Sequence, residues 1–173
     1  ITVIKIASII IFVIAGLAVG TETPDFRLSF QFDDFSSMIT AFGGGLVAVF
    51  WTFGGWEYVT AVGGEIRNPQ RNLPRALLIG TGMATVLYLL LNIVYLRALP
   101  IDEMAGVVTI GETTARSLFG SLGGRFMVVA IIISVMGALN GAVLTGPRVY
   151  YAMAQDGLFF KHAAEIHPRF HTP

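Results

Sequence analysis

Phe50-Trp51-Thr52-Phe53-Gly54-Gly55-Trp56-Glu57 is the stretch that decides how this chain is read. Two adjacent glycines sit between aromatic residues, inside a run from Phe35 to Trp56 that carries no charge. A glycine costs about 1 kcal/mol in a helix interior relative to alanine. A pair lets the backbone leave helical geometry and lets another group come close. Two readings follow. The glycines allow a neighbouring helix to pack closely, as small residues do in membranes. Alternatively the helix unwinds here, which hydrocarbon tolerates only where the freed backbone is buried in protein or lines a cavity.

The surrounding composition says that the solvent is lipid. Apolar residues make up 54% of the 173 residues and charged residues 13%. Soluble domains carry about 25% charged residues. Mean hydropathy is +0.72. The formal net charge is zero, so nothing points to nucleic acid. With no cysteine there is neither a disulfide framework nor a thiolate metal site. Besides Phe35 to Trp56, the runs Ile6 to Thr21, Ala76 to Leu96 and Phe126 to Pro147 are free of charge. About 20 residues at 1.5 Å each cross a hydrocarbon core about 30 Å thick. These runs predict an all-α polytopic membrane protein with spans at about 2–20, 41–63, 76–97 and 126–153. The first run also resembles a signal peptide, with Lys5 before it and Ala18-Val19-Gly20 after it; the three later spans argue against that. The start at Ile1 and the stop at Pro173 are read as those of a piece of a longer protein.

Loop charges set the expected orientation. Residues 21–40 carry Glu22, Asp25, Asp33 and Asp34 against Arg27. Residues 64–75 carry Arg67, Arg71 and Arg75 against Glu65, and the tail 154–173 carries Lys161 and Arg169. The loop 64–75 and the tail are therefore predicted to be cytoplasmic, with 21–40 and 98–125 outside. Thr109 to Leu118 is predicted to be a short helix on the outer surface. His162, His167 and His171 are irregularly spaced and give no metal site.

Two charges inside the spans carry chemistry. Glu57 follows the glycine pair; it either faces a cavity, as intramembrane acids usually do, or is solvated near the interface. Lys5 lies about 22 Å below Gly20 at 1.5 Å per residue. It is either a functional cation within the span or a lysine that snorkels to the cytoplasm.

The stretch Phe50 to Trp56, together with Gly64-Glu65-Ile66-Arg67-Asn68-Pro69-Gln70-Arg71-Asn72-Leu73-Pro74-Arg75-Ala76, resembles the sixth helix and following loop of amino-acid permeases. Those form the amino acid–polyamine–organocation superfamily, and the resemblance is to its branch of L-type amino-acid transporters. Ser134, Gly137, Asn140, Gly141 and Gly146 to Gly157 resemble the eighth helix of that family, and His167 to Pro173 the loop before the ninth. The resemblance implies a LeuT-type fold of about twelve helices, of which this chain holds helices five to eight, with a discontinuous helix in its second span. It implies transport of amino acids, by exchange or proton symport, across the plasma (inner) membrane, with no enzymatic activity and no cofactor.

The resemblance also distributes roles. Trp51 is implied as an aromatic gate over the substrate. Carbonyls at Trp51, Thr52 and Gly54, in a run with Phe53 and Gly55, are implied to receive its α-amino group. Glu57 is implied to bias side-chain choice. Lys5 is implied to stand where sodium-coupled relatives hold a cation, with the Ser134 hydroxyl beside it. Glu65, Pro69, Arg71 and Pro74 are read as hinge and topology elements, Glu65 able to form an ion network with Arg67 and Arg71. The partners expected are the amino-acid substrate, the bilayer and the remaining helices of the same transporter. The other reading is a structural or receptor-like membrane protein that transports nothing; a membrane-embedded enzyme lacks the paired acids or histidines it would need.

The orientation is open to a direct measurement. In intact cells making the whole protein, single cysteines at Ser36→Cys and Gln70→Cys are expected to react with an impermeant label from opposite sides. Labelling of both from outside would contradict the assignment.

Overall fold

A computed structural model of the chain describes residues 2–23, 34–169 and 172. The expected outer-loop charges Asp25, Arg27 and Asp33 lie outside the described residues, as does His171. Every described element is helical. Four helices are long and apolar enough to cross a membrane. They are α1 (Thr2–Val19), α2 (Phe35–Thr52), α4 (Pro69–Ala98) and α6 (Ile110–Gln155). Two single-turn helices, α3 (Tyr58–Ala61) and α5 (Ile101–Met104), complete the α-helical set. The chain is a polytopic membrane protein. It divides into two units: Ile1–Gly54 with Thr81–Ser134, and Gly55–Gly80 with Val135–Pro173.

In the first unit, α2 starts where its sequence can satisfy the first orphan amides. The Asp34 carboxylate accepts from the Ser37 amide at 2.7 Å, and the Ser37 hydroxyl answers the Asp34 backbone, a reciprocal capping box. That amide bond also lowers the Asp34 pKa. Helix α2 therefore begins at Phe35, ahead of the start near 41 read from hydropathy, and its regular part ends at Thr52. None of its residues is buried, which leaves its apolar surface for lipid and neighbouring helices.

The buried part of this unit lies where α1, the end of α4 and the start of α6 meet. Val94 and Thr114 are fully buried, and Val13, Leu99 and Ala115 nearly so. Phe12 and Phe119 meet edge to face with centroids 6.2 Å apart. A Cβ on Gly16 would stand 2.5 Å from Val94 Cγ1, and one on Gly20 would stand 2.9 Å from Arg97 Cβ. The pair Gly16 and Gly20 thus forms a packing face. Arg97 donates a guanidinium hydrogen bond to the Gly20 carbonyl, and its own carbonyl accepts from the Glu22 amide at 3.1 Å. This ties the ends of α1 and α4 together.

Helix α6 is wider than the span 126–153 read from the sequence. It begins at Ile110 and absorbs the predicted outer helix, with one interruption at Gly120, where φ is 70° and ψ −165°. That region is essentially open to glycine alone. Residues 110–119 form an arm that packs on α1 and α4; the helix resumes directly after the corner.

In the second unit, α3 is followed by a 3₁₀ turn at Gly63–Glu65 and by the start of α4. Pro69 is the first residue of α4, where its missing amide costs nothing. Pro74 lies inside the helix, one turn later than a starting position. Asn68, at φ 51°, turns the chain into α4, and its carbonyl accepts from the amides of Arg71 and Asn72. At the other end, α6 closes in a Schellman motif around Gly157 at φ 76°: the Leu158 amide reaches the Met153 carbonyl at 2.8 Å and the Gly157 amide that of Ala154 at 3.2 Å.

The close approach at Gly16 is testable. Val94 is branched and fully buried, so it cannot swing aside for a new methyl group. Gly16→Ala is expected to destabilise the protein by about 1–3 kcal/mol. The readout is the thermal unfolding temperature of the whole protein in detergent. An unchanged temperature would show that α1 and α4 do not meet there.

Candidate functional site

The end of α2 is where the sequence placed its candidate residues, and there the helix breaks. Up to Thr52 the backbone is helical, and the Thr52 hydroxyl is used locally on the Ala48 carbonyl at 2.8 Å. The Phe53 amide still reaches Val49 at 3.0 Å, but the Gly54 amide turns back to Trp51 at 3.2 Å. In a continuing α-helix the Thr52 carbonyl would accept the amide of residue 56. It accepts instead the hydroxyl of Tyr88, on α4, at 3.0 Å. The ring of the same tyrosine stands edge-on to Phe53, with centroids 5.2 Å apart and planes at 90°. The carbonyls of Phe53 and Gly54 take no part in these closing bonds. Trp51 projects outward and is 81% exposed.

The expectation of free acceptors therefore changes in detail. The Trp51 carbonyl already accepts from the amides of Phe53 and Gly54. The Thr52 carbonyl already accepts from Tyr88. A carbonyl has two lone pairs, so that of Thr52 keeps one and that of Trp51 none. Tyr88 is the residue that sequence reading passed over. The available signal was a phenol in the middle of an apolar run, since a buried tyrosine hydroxyl usually finds a partner.

On the far side of the break, in the second unit, Gly55 sits at φ 103°, a conformation side chains disfavour. Its amide donates to the Glu57 carboxylate at 2.9 Å. Glu57 is exposed and folded back on the backbone two residues before it. Its own carbonyl accepts from the Thr60 amide at 3.0 Å and from the Thr60 hydroxyl at 2.6 Å. The acid thus supplies the Gly55 amide with the acceptor that a continuing helix would have provided.

The remaining candidates are placed as follows. Lys5 is half-buried in the first turn of α1, and Ser134 is half-buried on α6. Among the described residues no hydrogen bond joins them; the Lys5 carbonyl accepts from the Ser8 hydroxyl at 2.9 Å. Glu65 finds a partner that the sequence did not indicate. Arg148 reaches its carboxylate through Nε and Nη2, both at 2.9 Å, while Arg148 Nη1 bonds the Leu144 carbonyl. Arg67 and Arg71, expected beside Glu65, are exposed. In the same unit a cavity of about 380 Å³ is lined by Pro147, Tyr150, Phe159, His162 and Glu165.

A family model of amino acid permeases matches residues 1–173. The chain is 41% identical to the serine/threonine exchanger SteT of Bacillus subtilis over 138 residues, covering 76% of this chain and 31% of that protein. It is 31% identical to the b(0,+)-type amino acid transporter 1 of Rattus norvegicus over 180 residues, covering 99% of this chain and 35% of that protein. It is 30% identical to the large neutral amino acids transporter small subunit 2 of Homo sapiens over 145 residues, covering 84% of this chain and 26% of that protein. The chain spans about a quarter to a third of the length of the curated relatives it matches. With its four apolar helices and the second of them broken at a glycine pair, this chain belongs to the amino acid permease family.

Proposed function

We propose that this chain serves secondary active transport of amino acids across the plasma membrane, by exchange or proton-coupled symport, and that the end of α2 receives the substrate. The observation that carries this reading is the interruption of an apolar helix at Thr52. Carbonyls that a helix would have consumed are presented there beside an exposed tryptophan. An ammonium offers three donors and no acceptor, so a cluster of backbone carbonyls is its natural partner. Broken helices are a common way for secondary transporters to build such a site. The names of the relatives, an exchanger and transporters of amino acids, support the same substrate class. In this reading Trp51 covers the bound ammonium, Gly54 lets it approach, and Phe53 and Gly54 supply carbonyls. Gly55 and Glu57 keep the backbone beyond them in shape. Lys5 serves as a fixed cation that braces α1, with Ser134 as its hydroxyl partner. Glu65, Pro69, Arg71 and Pro74 shape the loop into α4.

The site is tested by uptake of labelled L-serine, L-threonine and L-leucine into liposomes holding the whole protein. Gly54→Leu adds bulk where a Cβ would already stand 3.3 Å from the Trp51 carbonyl, and is expected to abolish uptake and binding. Trp51→Ala leaves the carbonyls in place. Loss of an aromatic face over a cation, about 1–2 kcal/mol, is expected to lower affinity about tenfold without abolishing transport. If the glycines serve packing alone, Gly54→Leu lowers thermal stability and Trp51→Ala leaves the kinetics unchanged. Normal binding by Gly54→Leu would end this reading.

Lys5 is tested separately. Lys5→Met is expected to reduce uptake strongly at unchanged protein yield, because methionine keeps the length of the side chain and removes the charge. It should create no sodium requirement, since a sodium site needs several oxygens. Wild-type uptake would make Lys5 a lysine that merely snorkels to the interface.

A further inference from the structure

The turn into α4 and the start of that helix, residues 64–75, carry three arginines and one acid. Along the chain, Glu65 is the nearest counter-charge for Arg67 and Arg71. The fold gives it another partner: Arg148 makes both 2.9 Å contacts to its carboxylate. Arg67, Arg71 and Arg75 are exposed, and none of them makes an ion pair among the described residues. After Glu65 the sequence holds no acid before Asp102. Three positive charges are therefore left without a counter-charge from their own stretch of chain. The backbone beneath them is fixed. The Arg67 carbonyl accepts from the Asn72 side-chain amide at 2.5 Å, and the Asn68 carbonyl accepts from the amides of Arg71 and Asn72.

Arg71 and Arg75 lie four residues apart in α4 and so share a face, with Leu78 next along it. Leu78 is 76% exposed, and Ile79 beside it 64%. Within one turn this face passes from uncovered aliphatic side chains to unpaired guanidiniums. The charge-free run from Ala76 to Leu96 rises about 31 Å at 1.5 Å per residue, the thickness of a hydrocarbon core. Arg75 closes that run, which puts it at the edge of the hydrocarbon. Arg71, about 6 Å further along the helix, reaches the headgroup layer.

We propose that Arg67, Arg71 and Arg75 form a docking surface for the headgroup of an anionic phospholipid, with Leu78 and Ile79 against its acyl chains. The match is one of charge and shape. A guanidinium offers two parallel N–H donors to two phosphate oxygens. The N-terminal end of α4, the positive end of its dipole, adds to the same field. A zwitterionic headgroup brings its own ammonium and cancels most of that attraction; an anionic one does not. Anionic lipids concentrate in the cytoplasmic leaflet, the side to which loop charge assigns residues 64–75. The inference is independent of the substrate reading at the α2 break.

The test uses the whole protein in a neutral detergent. Dioctanoyl phosphatidylglycerol is the probe and dioctanoyl phosphatidylcholine the zwitterionic control. Phosphatidylglycerol is expected to raise the unfolding temperature in a saturable way, and phosphatidylcholine far less. One arginine near an anionic surface contributes about fivefold in affinity. Arg71→Gln with Arg75→Gln should therefore raise the half-saturating concentration about 25-fold, and the triple variant with Arg67→Gln about 100-fold. Glutamine keeps the backbone amides that the turn uses, so both variants should unfold at the wild-type temperature without lipid. Native mass spectrometry gives a second readout, the phosphatidylglycerol retained per protein, which holds even for a less stable variant. Equal half-saturation and equal retention in wild type and triple variant would overturn the proposal. So would equal stabilisation by the two lipids. If inorganic phosphate reproduces the effect at the same concentration, the surface binds a free anion, and the lipid assignment fails. If soluble poly-L-glutamate binds more tightly than phosphatidylglycerol, the surface fits an acidic protein segment, and the assignment fails again.

Discussion

A backbone carbonyl stranded in hydrocarbon must find a donor, and that requirement organises the middle of this chain. The end of α2 breaks an otherwise regular ladder, and three of the groups released there are each met by a specific device. The Thr52 carbonyl meets a phenol from α4. The Gly54 amide turns back on Trp51. The Gly55 amide meets the Glu57 carboxylate. An unsatisfied backbone group costs several kcal/mol in lipid, far more than the roughly 1 kcal/mol that a glycine costs a helix. The glycines create the interruption; the polar side chains make it stable enough to persist.

Much of this was legible in the sequence, and the parts that were not share a cause. Charge-free runs of the right length revealed the four long helices, because the penalty for a charge in lipid is large enough to show in composition. Two neighbouring glycines between aromatics pointed to the interruption, with close helix packing as the other reading. Helix ends were less visible. The start of α2 depended on the Asp34 and Ser37 capping box, and α6 kept going through a region that hydropathy had left as loop. Pairings between distant positions were invisible. Tyr88 and Thr52 are 36 positions apart, and Glu65 and Arg148 are 83 apart. The sequence offered Arg67 and Arg71 to Glu65 because they are its neighbours along the chain; the fold offered Arg148. Likewise, Glu57 could be read from its position as a cavity acid or as one solvated near the interface, and its backbone partner at Gly55 came only with the fold.

Two physical kinds of glycine shape the fold. Gly16 and Gly20 are helical or nearly so and serve distance: a methyl group at either would collide with α4. Gly55, Gly120 and Gly157 serve direction: their φ values of 103°, 70° and 76° turn the chain where a side chain would resist. The first kind fixes what touches; the second fixes where the next segment points. Gly141 meets nothing within 4 Å among the described residues.

The corner at Gly120 has a mechanical consequence. The arm 110–119 is held at several points: Phe119 on Phe12, Leu118 within reach of Gly16, and the Ser117 hydroxyl on the Ala98 carbonyl. The helix that follows is joined to that arm through a residue with no side chain and with non-helical φ and ψ. The start of that helix lies back against the arm: a Cβ on Gly124 would stand 3.4 Å from Arg116 Cβ, and one on Gly111 would stand 3.8 Å from Met127 Sδ. Arm and segment therefore brace one another as a hairpin folded at a single glycine.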